Sequence, residues 1–102
     1  MVNKISVEEF NQVEASKIAL IDFSATWCGP CRMVGPVVDQ LSNEMKDVEF
    51  FNVDVDDDPE LAEKFGIQSI PALILLKDGK EVSRSVGFKP KAMLESWINS
   101  NK

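Results

Sequence analysis

The chain has 102 residues, 44% hydrophobic and 27% charged; this is the length of one ordinary domain at an average globular composition, which excludes disordered, collagen-like and coiled-coil chains. Eleven basic residues stand against seventeen acidic ones, a net charge of −6, which fits a solvated acidic surface and argues against nucleic acid or an anionic membrane as partner. His and Tyr are both absent, so Ser/His/Asp and Cys/His nucleophile pairs, an imidazole base and a histidine metal site are excluded.

The opening segment Met1-Val2-Asn3-Lys4-Ile5-Ser6 lacks the apolar stretch of a signal peptide, and no run approaches the roughly 18 apolar residues of a membrane span, so a cytoplasmic location is expected. A brief first strand is predicted around Val2 to Ile5, and Ser6-Val7-Glu8-Glu9 has the pattern of a capping box opening a helix through about Ala15. Ile18 to Phe23 reads as a buried strand. From Cys31 to about Lys46, Met33, Val34, Val37, Val38, Leu41 and Met45 recur at helical spacing, with Pro36 predicting a kink. Val48 to Val53 is a further buried strand, and Asp58-Pro59 through Phe65-Gly66 has the cap, first-turn Pro and terminal Gly of a short helix. Ala72 to Leu76 is a strand, Asp78-Gly79 a hairpin turn, Lys80 to Gly87 the returning strand, and Lys89 to about Ser100 a last helix with Met93, Leu94, Trp97 and Ile98 on its buried face. No linker or repeat divides the chain, so residues 1–102 read as one α/β domain: a sheet covered on both faces, with parallel pairs early and an antiparallel hairpin late.

Only two cysteines occur, three apart, which excludes a secreted fold stapled by several disulfides. Both stand at the junction of the strand ending near Phe23 and the long helix. A sulfur just before a helix faces unsatisfied N–H groups and the positive end of the dipole, so at Cys28 the thiolate is favoured and a nucleophile is prepared without His. Cys31, one turn later, is placed as a resolving thiol, with Cys28 expected exposed and Cys31 buried. Gly29 lets a partner's backbone approach, Pro30 fixes the first helical turn, and Trp27 offers a broad amphipathic rim. A structural zinc site wants four ligands, and two thiols without His supply half of one unless two chains share it. Asp22 is the single ionisable residue inside the run Ile18 to Phe23, and burial there is expected to raise its pKa. The acidic run Asp54, Asp56, Asp57, Asp58 imitates the start of a calcium loop but has Pro59 where Gly is needed and Phe65 where the bidentate Glu belongs, so it reads as solvated loop and helix cap.

The segment Asp22-Phe23-Ser24-Ala25-Thr26-Trp27-Cys28-Gly29-Pro30-Cys31 resembles the active-site signature of the thioredoxins, and Ile70-Pro71-Ala72-Leu73 resembles their cis-proline segment. The likeness extends through Phe51-Asn52-Val53-Asp54, Lys77-Asp78-Gly79 and Val86-Gly87 to essentially the whole chain. It implies a thioredoxin fold, a mixed sheet of about five strands flanked by about four helices. It also implies a protein-disulfide reductase in which Cys28 attacks a client disulfide and Cys31 resolves the mixed disulfide, with Asp22 relaying a proton to and from Cys31 through water. The resemblance places the client across Trp27, Gly29, Pro30, Ile70, Pro71, Val86 and Gly87, with Phe88 at the margin and backbone pairing at Ile70. It implies a monomer that binds no cofactor and is recharged by a thioredoxin reductase with NADPH behind it. It also puts Phe50 where many members carry a lysine close to the aspartate. Two other classes share this fold. A disulfide-forming oxidase wants another central dipeptide and usually an export signal, and a non-catalytic assembly module needs no intact dithiol.

Overall fold

The computed structural model describes residues 1–102. In chain order the elements are β1 (Val2–Lys4), a 3₁₀ turn (Val7–Glu9), α1 (Asn11–Ala15), β2 (Ile18–Ser24), α2 (Gly29–Glu44), β3 (Glu49–Asp54), α3 (Pro59–Lys64), β4 (Ala72–Lys77), β5 (Lys80–Val86) and α4 (Lys91–Asn101). The helix expected from Ser6 to Ala15 is divided: Glu9 Oε1 accepts from the Ser6 N–H and hydroxyl, but that first turn closes as 3₁₀ before α1 begins. The α2 helix passes Pro36 unbroken.

The five strands lie in the order β1-β3-β2-β4-β5, parallel across β1, β3 and β2 and antiparallel across β2, β4 and β5. Alternation along β2 divides the core into two layers. Ile21 and Phe23 face one layer with Phe51, Ile74 and Leu61 of α3; Leu20 faces the other with Phe50 and Leu75, under Val34, Val38 and Leu41 of α2 and Leu94 and Ile98 of α4. Asp22, two residues beyond Leu20, therefore points to the layer beneath α2. The buried stripe of α2 is Cys31, Val34, Val38 and Leu41. Met33, expected among the apolar positions of this helix, lies 100° off that stripe and is exposed, as is Met93 of α4. No helix is long and apolar enough to cross a membrane.

Candidate active site

The two cysteines sit where the central strand β2 hands the chain to α2. Cys28 is the N-cap of α2, Pro30 occupies the first turn, and the N–H of Cys31 donates to Cys28 Sγ at 3.2 Å. One of the orphan donors of a helix start is thus aimed at sulfur, and the helix dipole adds to the same effect; both favour negative charge on Cys28. In this structure the pair is closed as a disulfide, Cα to Cα 5.2 Å.

Closure changes one expectation. Cys28 is only 4% exposed and Cys31 6%, so Cys28 is not the open thiol of the pair in this state. Its sulfur is tied to Cys31, the two pack with Ala25, and the half-buried Val55 and Ile70 lean against them. The Ile70 carbonyl oxygen stands 3.9 Å from Cys28 Sγ. Trp27 remains open at 66% exposure, its indole N–H donating to Asp56 Oδ2 at 2.7 Å. The Arg32 guanidinium donates through Nε and Nη2 to the Thr26 carbonyl at 3.2 and 2.9 Å, clamping the segment that carries Trp27.

Beside the disulfide the Ile70–Pro71 peptide is cis, as the resemblance implies. The Gly87 N–H donates to the Pro71 carbonyl at 2.8 Å, and Val86 pairs with Ala72, which brings the Val86-Gly87 turn against Pro71. Gly87 holds φ +88°, a conformation other residues rarely adopt. Ile70 lies outside every strand, and its N–H engages no backbone partner. Next to it Trp27, Val55, Ala62, Ile67, Gln68 and Ile70 line a largely apolar hollow of about 180 Å³.

Behind the disulfide Asp22 is 5% exposed and its Oδ1 has no hydrogen-bond partner. Burial raises its pKa from 3.8 to about 6, with the neighbouring Asn52 amide pulling partly the other way. That amide donates to the Asp22 backbone carbonyl at 3.0 Å and to Ser24 Oγ at 2.9 Å. Asp22 and Cys31 line one cavity of about 260 Å³ together with Lys4, Ser24, Arg32, Asn52 and Asp54. A water there would have polar partners on both sides. The strand register puts Phe50 and Asn52 on the face of β3 that Asp22 shares on β2. Phe50 pairs with Leu20, whereas the residue opposite Asp22 is Asn52.

The acidic run also differs from a solvated loop. Asp54 and Asp58 are buried. Asp54 Oδ1 accepts from the N–H groups of Asp56 and Asp57, while Asp58 caps α3 through Leu61 N–H and takes the Val7 N–H at 2.6 Å. Asp56, Asn52, Lys4, Arg32 and Val55 are site neighbours that sequence reasoning passed over. A polar Asn inside the otherwise apolar run of β3 was the one local signal.

The thioredoxin family model matches residues 1–100. The chain belongs to the thioredoxin family. It is 50% identical over 101 residues to the thioredoxin of Chlamydia caviae, covering 99% of each chain, and 48% identical over 102 residues, the whole of both chains, to that of Chlamydia trachomatis serovar D. The crystal structure of thioredoxin from Malassezia sympodialis superposes with a TM-score of 0.90 at 36% identity, over 99% of this chain and 90% of that one. The five-stranded mixed sheet with its four helices is accordingly the thioredoxin fold. Its chemistry is protein-disulfide reduction by dithiol–disulfide exchange, so this is a disulfide oxidoreductase.

Proposed function

We propose that Cys28 is the attacking thiol and Cys31 the resolving one. Cys28 thiolate attacks one sulfur of a client disulfide; the client S–S bond breaks, a mixed disulfide forms, and one client thiolate leaves. Cys31, its proton taken by Asp22 through water in the shared cavity, then attacks Cys28 Sγ. The mixed disulfide breaks and the second client thiolate leaves; one client sulfur takes the proton passed on by Asp22, the other takes from solvent the proton Cys28 gave up on ionising, and the client has gained two electrons and two protons while the chain ends as the Cys28–Cys31 disulfide. The observation that carries this order is the hydrogen bond from the Cys31 N–H to Cys28 Sγ at the start of α2, which makes Cys28 the better nucleophile and leaving group.

The client segment lies over Trp27, Gly29 and Pro30 on one side and Ile70, Pro71, Val86 and Gly87 on the other. The free Ile70 backbone supports pairing with an extended client strand, and the apolar hollow beside Trp27 supports a neighbouring apolar side chain. No cofactor is required of the chain itself. Electrons return from NADPH through a thioredoxin reductase, and the chain works as one monomeric domain, residues 1–102, in the cytoplasm. The deciding test is a pair of variants exposed to cell extract. Cys31→Ser accumulates mixed disulfides visible on non-reducing gels and Cys28→Ser forms few; equal trapping by both would remove the assignment of roles.

A further inference from the structure

Across the three parallel strands, Lys4 of β1 pairs with Asn52 of β3, and Asn52 pairs with Asp22 of β2. Paired residues point to the same side of a sheet, so the three form one row beneath α2, about 10 Å from Lys4 to Asp22 at the usual strand spacing. All three line the cavity that reaches Cys31. A cation there would stabilise an ionised Asp22, whose Oδ1 has no partner and whose paired residue on β4 is Leu73.

The charged groups facing that cavity are few. From α2 comes Arg32, whose guanidinium is held by the Thr26 carbonyl; from β3 comes Asp54, whose Oδ1 is taken by two backbone N–H groups. Lys4 is the other cation, attracted by Asp57 and by the buried Asp54. Its ammonium is 2.8 Å from Asp57, with both side chains more than half exposed, a kind of pair that contributes little and exchanges readily. Its flexible stem leaves the ammonium free to turn from Asp57 toward the cavity mouth.

We propose that Lys4 is the counter-cation of ionised Asp22, a positioning residue that sets the pH at which Asp22 can accept the Cys31 proton. This rests on the role proposed above for Asp22. Lys4→Met withdraws the cation, so less Asp22 is in its basic form at a given pH and resolution of the mixed disulfide slows at mildly acidic pH. Asp57→Asn releases Lys4 and acts in the opposite direction.

The test combines carbon NMR titration of the Asp22 carboxyl, assigned with Asp22→Asn, with single-turnover release of a peptide held on Cys28 as a mixed disulfide. A unit charge about 10 Å away in a medium between protein and water moves the Asp22 midpoint by about half to one pH unit, upward in Lys4→Met. Release near pH 6 then slows about two- to fivefold and recovers at higher pH, Lys4→Arg restores both readouts, and added salt shrinks the difference. An unmoved midpoint in Lys4→Met overturns the inference, and so does a slowing that is equal at every pH, which is what a merely structural role would give. Unchanged release in Asp22→Asn would instead overturn the role of Asp22, and Lys4 would then be judged on the carboxyl midpoint alone.

Discussion

Asp22→Asn removes a charge from the middle of the sheet while nearly keeping the shape of the side chain. Burial holds the Asp22 carboxyl at a pKa of about 6 rather than 3.8. Below pH 3.8 the group is neutral in the folded and unfolded chains alike and contributes nothing to the pH dependence. Between 3.8 and 6 the unfolded chain releases its proton while the folded chain retains it, so stability falls as pH rises; above about 6 both are ionised and the full cost persists. A displacement of some two pH units at 1.36 kcal/mol each makes that cost about 3 kcal/mol. Asp22→Asn should therefore stabilise the disulfide form by about 3 kcal/mol at pH 8, by about half as much at pH 5 and by little at pH 4. Urea titrations across that range read the gain directly, as a midpoint raised by about 1 to 3 M at pH 8 with the slope unchanged. A gain of the same size at pH 4 and pH 8, or none at pH 8, would refute the reasoning, because the effect would then not come from the charge.

In the reduced chain, brief treatment with iodoacetamide near neutral pH should modify Cys28 before Cys31, as read by mass mapping, since the start of α2 favours the thiolate of Cys28; labelling of Cys31 first would invert the roles. Asp56→Ala frees the Trp27 indole that it now holds at 2.7 Å. Trp27 emission should change and the KM for a disulfide peptide should rise several-fold, with a denaturation midpoint close to the parent's; an unchanged KM would mean that Trp27 is positioned without this bond. Asp58→Ala leaves the N–H groups of Val7 and Leu61 without their carboxylate and should cost about 2 to 3 kcal/mol in urea melts. A loss under about 0.5 kcal/mol would show that water replaces the carboxylate at little cost.

What the sequence made legible is what depends on neighbours along the chain. Each strand and helix was placed within a few residues because periods of 2 and 3.6, the Asp58-Pro59 cap and the Asp78-Gly79 turn are local signals, and the dithiol was recognisable because its chemistry follows from a strand-to-helix junction. What escaped depends on neighbours across the sheet. Moving from Phe50 to Asn52 keeps the same face, so no periodicity argument separates them; only the register of β2 on β3 says which one stands beside Asp22. Asp58 looked like a helix cap and is one, but its second oxygen reaches Val7, fifty-one residues away. The cover over Cys28 comes from Val55 and Ile70, which precede and follow α3, and nothing near Cys28 in sequence announces it.

The spacing of the two cysteines joins these local and lateral features into a single device. Three residues on a helix are almost one turn, so a sulfur at the N-cap and another at the third helical position come within bonding reach while facing different surroundings. Cys28, covered by Val55 and Ile70 in the closed pair, adjoins the exposed Trp27. Cys31 belongs to the buried stripe of α2, and that stripe lies over the layer into which Asp22 points. On the roles proposed above, attack belongs to the start of α2, where the helix N-terminus supplies the stabilising charge. On the same roles, release belongs to the layer beneath α2, where a carboxyl with a pKa near 6 lines the same cavity as Cys31. A spacing of two or four would turn the second sulfur about 100° away from this arrangement, and from the cavity that Cys31 shares with Asp22.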